Sequence, residues 1–249
     1  MGKAGGQELN YVSDVDVIFV AEPKNNASEQ EALNAATKVS SALMQFISTS
    51  LDGGLIWEVD AALRPEGKAG ALVRTLEQHI SYYQRWAQTW EFQALLKARF
   101  SAGNKELADK YLDQISEFVW SAASKENFVE DVQKMRKKVE ENIDNRIGER
   151  ELKLAPGGLR DVEFAVQLLQ LVHGRSDVMV RSSNTLQALD QLAMWGYIGR
   201  EDSATFSNAY IFLRTLEHRI QLQKLSRTHI LPNEDSELRI LGQIGRAHV

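Results

Sequence analysis

The sequence predicts an α+β protein, with an α/β front up to about residue 100 and an all-helical rear. Three observations carry that prediction. A strand, a helix and a second strand follow one another within the first 60 residues. After about Leu76 the strand signals fade, and apolar residues recur at helical spacing. The chain is 249 residues long and 43% hydrophobic, enough material for one large or two small domains.

Residues 1–10 are rich in glycine, with no strand ahead of them. Residues 11–20 read as a strand, because Val12, Val15, Val17, Ile18 and Val20 favour extended backbone. Ser28 with Glu31 makes a capping box. Behind it Ala32, Leu33, Ala36, Val39, Leu43, Phe46 and Ile47 fall at helical spacing. Asp52-Gly53-Gly54 is a turn, and residues 55–60 form a second strand closed by Arg64-Pro65-Glu66-Gly67. Thr75 and Gln78 cap a helix carrying Ile80, Tyr83 and Trp86.

Further helices are expected over 90–100, 104–121 and 126–146, the last with a narrow stripe of Val129, Val132, Met135, Val139 and Ile143. A loop with Pro156-Gly157-Gly158 leads into a helix over 159–173, and two more follow over 185–195 and 202–225. There is no internal repeat within these residues.

Composition narrows the function. The net charge is −5 and the bases are scattered among more acids, unlike the basic stripe that grips nucleic acid. That leaves a small nucleotide or another protein as partner. Cysteine is absent, which excludes disulfides and thiolate metal sites. No apolar run approaches the roughly 20 residues that span a bilayer, so no membrane partner is expected. No signal segment leads the chain, and a cytoplasmic location is the expectation.

The chemistry lies in three carboxylates. Asp14 and Asp16 are two apart on a strand, so both point to one face. Asp60 ends the second strand and meets them if the strands are neighbours. Like charges about 4 Å apart repel by about 4 kcal/mol at an effective dielectric near 20, so such a cluster stays ionised around a cation. Oxygen ligands without Cys or paired His suit Mg2+ or Mn2+. Two such ions can orient a nucleotide and stabilise both attacking and leaving oxygens. Gly5 and Gly6 precede the strand, and Ser13 abuts it. The glycines would let backbone N–H groups approach phosphate oxygens. Taken singly, the glycines read equally as a tight turn and the aspartates as a solvated strand end.

The combination is more specific. Residues 2–16, with Gly5-Gly6 and Ser13-Asp14-Val15-Asp16, resemble the signature of the glutamine synthetase adenylyltransferase/adenylyl-removing enzymes. Leu55-Ile56-Trp57-Glu58-Val59-Asp60-Ala61-Ala62-Leu63-Arg64-Pro65 is similar to their second motif. Trp90-Glu91-Phe92-Gln93-Ala94-Leu95-Leu96-Lys97-Ala98-Arg99 and Gly157-Gly158-Leu159-Arg160-Asp161-Val162-Glu163-Phe164 are similar to the third and fourth. The resemblance covers residues 2–243.

It implies a polymerase-β-type nucleotidyltransferase domain over 1–100, lacking its first strand, and a helical bundle over 101–243. Asp14, Asp16 and Asp60 would be the catalytic, metal-binding carboxylates, with Gly5, Gly6, Ser13, Arg64 and Lys68 at the nucleotide phosphates. Complete members carry two such halves. One adenylylates a tyrosine of glutamine synthetase with ATP. The other removes the AMP by phosphorolysis, releasing ADP. Mg2+ serves both, Mn2+ being an alternative, and the PII protein adjusts the balance. The fourth motif and Thr228-His229-Ile230-Leu231-Pro232 favour the N-terminal, adenylyl-removing half, whereas Thr89-Trp90-Glu91-Phe92-Gln93 is nearer the transferase half. One departure stands out: Ala62 replaces an arginine of the Asp-x-Arg-Leu-Arg-Pro pattern, leaving Arg64 and Lys68 to meet phosphate.

Other residues keep two readings. Arg64 either clamps a phosphate or pairs with an acid such as Glu66. Lys97 and Arg99 either face the nucleotide or solvate a helix. Glu91 either supports the metal site or pairs with an arginine. Asp161 and Glu163 open a helix, where acids suit the dipole. Tyr82, Tyr83, Trp86 and Trp90 read as core. Ile244-Gly245-Arg246-Ala247-His248-Val249 matches one frame of a common sequencing adapter (ATC GGA AGA GCA CAC GTC) and is read as read-through. Two competing functions retain the fold: a uridylyltransferase-like enzyme acting on another signalling protein, and a non-catalytic regulatory module.

Overall fold

Short local signals account for several of the helix starts in the structure, a computed structural model that describes residues 1–24, 26–49, 57–124, 126–141 and 147–243. The expected turn at Asp52-Gly53-Gly54, the strand residues Leu55 and Ile56, helix positions 142–146 and the tail 244–249 lie outside the described residues. The chain divides into two compact units, Met1–Leu9 with Ser13–Lys125, and Asn10–Val12 with Glu126–Val249.

In the first unit a short helix α1 (Gly2–Gly5) precedes strands β1 (Asp14–Asp16) and β2 (Phe19–Val20). Helix α2 (Glu29–Ser48) follows, then β3 (Glu58–Asp60) and β4 (Val73–Arg74). The β1–β3 and β2–β4 pairs are both parallel. Parallel neighbours need a crossover connection, and α2 supplies it, packing against β3 and β4. The single strand expected over 11–20 is therefore shorter and broken. Only 14–16 and 19–20 join ladders, because the pairing partner changes from β3 to β4 between them.

Helix α2 starts at the expected capping box: Ser28 Oγ accepts from Glu31 N at 3.3 Å, and Glu31 accepts from Ser28 N at 3.0 Å. Its apolar residues do not all face inward, however. Val39, Leu43 and Phe46 are 69%, 46% and 66% exposed, while Ala36, Ser40, Met44 and Ile47 lie on the covered face.

The unit's core lies between α3 (Leu76–Arg85), α4 (Thr89–Leu95) and α5 (Lys105–Ser121). Thr75 Oγ1 caps α3 through Gln78 N. Tyr83, Phe92, Leu95, Tyr111, Ile115 and Val119 are buried there. The Tyr83 and Tyr111 hydroxyls meet at 3.0 Å, and His79 packs edge-on against the Tyr111 ring. Burial holds the His79 pKa down at about 4, against an opposing hydrogen bond to the Thr75 carbonyl. Trp86 is 69% exposed and is not part of this core, contrary to its grouping with Tyr83. Its place at the C-cap of α3 turns it outward.

The second unit is helical: α6 (Phe128–Glu141), α7 (Leu159–His173), α8 (Thr185–Met194), α9 (Arg200–Lys224) and α10 (Asp235–Gln243). Helix α7 has the predicted bounds. Leu159, Val162 and Val166 interlock with Val180, Ala188, Leu189, Leu192 and Tyr210 in the main core. A smaller cluster joins Leu152, Ile220 and Leu241. One face of α9 buries polar groups, which must find partners. Arg214 pairs with Glu217 at 2.5 Å, Glu217 also faces His229 at 2.9 Å, and Gln221 Oε1 accepts from Val12 N at 3.3 Å. Asp161 and Glu163 are structural, as favoured. Asp161 accepts from Gly157 N and Arg136, and Glu163 pairs with Arg160 at 3.4 Å.

Candidate metal centre

The parallel register sets Asp14 opposite Glu58, Val15 opposite Val59 and Asp16 opposite Asp60. Alternation along β1 puts Asp14 and Asp16 on one face, and adjacent strands lie roughly 4.8 Å apart. The result is a set of carboxylate oxygens from Asp14, Asp16 and Asp60 all within 4.8 Å of one another, each residue half-buried. Among the described residues it is the one group of three or more potential metal ligands so disposed. Strand β3 is fixed to the end of α2 by Val59 N donating to Ser48 Oγ at 3.1 Å. Asp60 Oδ1 accepts from Ala62 N at 2.7 Å, which orients its carboxylate.

The donor set fits a hard divalent cation. Oxygens bound at about 2.0–2.6 Å to a shared ion lie no more than about 5 Å apart, which matches the observed cluster. Without positive charge, each pair at this spacing repels by about 3–4 kcal/mol at an effective dielectric near 20. All three ligands are hard oxygens, suiting Mg2+ or Mn2+.

The residues expected at phosphate are placed less uniformly. Ser13 is buried, its Oγ donating to the Asp14 carbonyl at 3.3 Å. Gly5 and Gly6 form the end of α1, and their N–H groups donate to Met1 O and Gly2 O at 2.6 and 3.1 Å. Those N–H groups are used within the turn rather than aimed outward. What Gly5 needs is space, since a Cβ there would lie 1.9 Å from the Lys97 carbonyl oxygen.

Arg64 braces its own turn: Nη1 donates to Ala61 O at 2.8 Å, Nε to Gly70 O at 3.2 Å, and Nη2 to Gly70 O and Lys68 O. Glu66, its suggested partner, pairs with Arg74 instead. Lys68 is exposed.

Lys97 is buried rather than solvating a helix, whereas Arg99 is exposed. Lys97 forms an ion pair with Glu8 at 2.7 Å, and Arg99 donates to the Ala4 carbonyl. Glu91 is buried, capping α4 through Gln88 N at 2.8 Å and accepting from the Tyr82 hydroxyl at 3.0 Å. Sequence reasoning missed β4 and the Glu8–Lys97 pair. Glu8 lies inside the first motif, but nothing in its local spacing marks its side chain as buried. A separate cleft of about 430 Å³ in this unit is lined by Glu66, Arg74, Gln78, Tyr82, Arg85 and Trp86, among others, and by none of the three aspartates.

Two family models match. Residues 1–114 match the glutamate-ammonia ligase adenylyltransferase model, and residues 128–247 match the GlnD PII-uridylyltransferase model. Similar proteins include one from Streptomyces avermitilis, 60% identical over 98% of this chain and 24% of its own length. One from Streptomyces coelicolor is 58% identical over 98% of this chain and 25% of its own. One from Mycolicibacterium smegmatis is 54% identical over 95% and 23%. Each is named bifunctional glutamine synthetase adenylyltransferase/adenylyl-removing enzyme. The chain spans about a quarter of the length of these curated relatives. No helix among the described residues is long and apolar enough to cross a membrane.

Proposed function

Because the chain belongs to the family of bifunctional glutamine synthetase adenylyltransferase/adenylyl-removing enzymes, we propose that it carries a nucleotidyltransferase site that removes AMP from adenylylated glutamine synthetase. The observation that carries the proposal is the parallel β1–β3 register that gathers Asp14, Asp16 and Asp60. In this reading 1–100 is a polymerase-β-type catalytic domain and 101–243 a helical domain, within the N-terminal, removing half of a cytoplasmic enzyme. The strand–helix–strand crossover and the fourth-motif residues around Asp161 support it.

The three aspartates would hold Mg2+ or Mn2+. When bound, the ion neutralises phosphate charge and activates the attacking oxygen. The protein's own residues keep three carboxylates converging on one face and hold that face half-open. Ser13 and Lys68 are the phosphate contacts, while Gly5, Gly6 and Arg64 shape the backbone beside them. In phosphorolysis a phosphate oxygen attacks the phosphorus of the tyrosyl-AMP. The bond to the tyrosine oxygen breaks, that oxygen takes up a proton, and ADP leaves. Adenylylation of the tyrosine by ATP with release of pyrophosphate is a distinct reaction, not the reversal of phosphorolysis, and in the transferase half it would call on the equivalent three carboxylates. PII is the proposed regulatory partner.

The test is to give the chain AMP-modified glutamine synthetase, phosphate and Mg2+. ADP should appear, and Asp16→Asn should abolish it. Pyrophosphate from ATP and unmodified glutamine synthetase, with no ADP in the first assay, would assign the transferase half instead. The match of residues 128–247 to the PII-uridylyltransferase model favours one second reading, uridylyl chemistry on another signalling protein. UTP replacing ATP in the same assays would reveal it.

A further inference from the structure

The Asp16 carboxylate is backed by a glycine. A Cβ on Gly2 would stand 1.9 Å from Asp16 Oδ2, so any side chain there would push the Asp16 carboxylate aside, and Gly2 also holds φ +50°, where a side chain is strained. Gly2 begins the turn of residues 2–8, and that turn is closed on itself by Gly6 N to Gly2 O and Glu8 N to Lys3 O.

The residues just past α4 pin the same turn at three points. Lys97 Nζ reaches Glu8 Oε2 at 2.7 Å, with the two side chains 9% and 7% exposed. The Lys97 carbonyl lies against Gly5, where a Cβ would be 1.9 Å away. Arg99 Nε and Nη2 both donate to Ala4 O, at 3.1 and 2.9 Å. The early end of α4 makes this possible. In a helix running on to Phe100, residues 97 and 99 would point about 200° apart. With α4 ending at Leu95, both side chains reach one turn. The fork of a guanidinium suits two donations to one carbonyl in a way that an ammonium does not, and a desolvated ion pair is directional because each charge has few alternatives.

We propose that Lys97 and Arg99 are positioning residues for the metal centre: they clamp the turn of residues 2–8, and the turn fixes where the Asp16 carboxylate stands. This rests on the reading of Asp14, Asp16 and Asp60 as metal ligands. Lys97 and Arg99 act through Ala4, Gly5 and Glu8, and then Gly2.

The test uses Mn2+ as probe on the full chain, with free Mn2+ read by electron paramagnetic resonance and amide exchange read in parallel. Arg99 is exposed, so Arg99→Met should fold. It should weaken Mn2+ binding about tenfold, as loss of outer support for a ligand does. It should also speed exchange of the turn amides of Gly5, Gly6 and Glu8 while leaving the α5 core amides unchanged. Arg99→Lys, which keeps a single donor, should fall between. Gly2→Ala should displace Asp16 directly and weaken Mn2+ at least as much.

Unchanged Mn2+ affinity in an Arg99→Met chain would overturn the proposal, as would unchanged exchange of the turn. Asp16→Asn separates the two layers. If Asp16→Asn abolishes Mn2+ binding and Arg99→Met does nothing, the clamp alone is wrong. If Asp16→Asn leaves Mn2+ binding intact, the metal reading falls and the clamp's purpose with it.

Discussion

Both units bury apolar side chains between helices, but they treat acidic groups differently. In the first, the ladder strands are only two or three residues long, and the Asp14, Asp16 and Asp60 they carry are half-buried. In the second, Leu159, Leu189, Leu192, Val180 and Ile220 are fully buried in helix-on-helix packing. The first unit also bears a cluster of three acids that repel unless a cation joins them. Among the described residues the second shows no such cluster. Its buried acids are paired, Glu217 with Arg214 and Glu163 with Arg160, as Glu8 of the first unit is with Lys97. A buried acid with a partner holds a fold together. Three acids facing one another are what the proposed cation site requires.

The largest effect should come from a hole cut in the core of the second unit. Leu189→Ala should cost about 2–5 kcal/mol, the range for a fully buried leucine whose surroundings cannot collapse. The measurement is denaturant unfolding followed by helical circular dichroism. A loss below about 1 kcal/mol would mean that the core around Leu189 is looser than its burial indicates.

A smaller effect lies in the first unit, at His79. Its folded pKa is depressed from 6.5 to about 4, chiefly by burial, so the unfolded chain takes up the proton first. The stabilising contribution of neutral His79 is complete above pH 6.5 and is lost as pH falls towards 4. Between pH 7 and pH 5 the loss should be about 2 kcal/mol. His79→Gln should remove that part of the pH slope. An unaltered slope in the variant would show that His79 is protonated at no cost in the folded state.

What the sequence made legible follows the range of the interactions involved. Helix starts at Ser28, Thr75 and Asn104 stand where expected, because a side-chain cap is made within three or four residues; α7 also starts as expected, at Leu159, behind Gly158 and without a side-chain cap. Strand bounds were harder to read. Val17 and Ile18 have the same branched character as Val15, but whether they pair depends on β3 and β4, about forty or more positions away in the chain. Strand β4, only Val73–Arg74, has no local signature at all.

The three aspartates were legible because residue type, alternation and strand ends all agree. Arg64 was not, since a phosphate clamp and a turn brace require the same guanidinium. Only the carbonyls of Ala61, Lys68 and Gly70 distinguish them. Helix α2 misled in another way. Its apolar positions fall at helical spacing, but Val39, Leu43 and Phe46 belong to a second, uncovered stripe.

If β1 and β3 together make a cation site, Asp60 is the decisive residue, because it belongs to the other strand of the pair. Calorimetric titration of the chain with Mn2+ should show binding in the wild type and none in Asp60→Asn. The variant's unfolding midpoint should be equal or higher without metal, because one of three repelling charges is gone. Equal Mn2+ binding by wild type and a folded Asp60→Asn would contradict the claim, since the parallel register would then have gathered the three carboxylates without making a site.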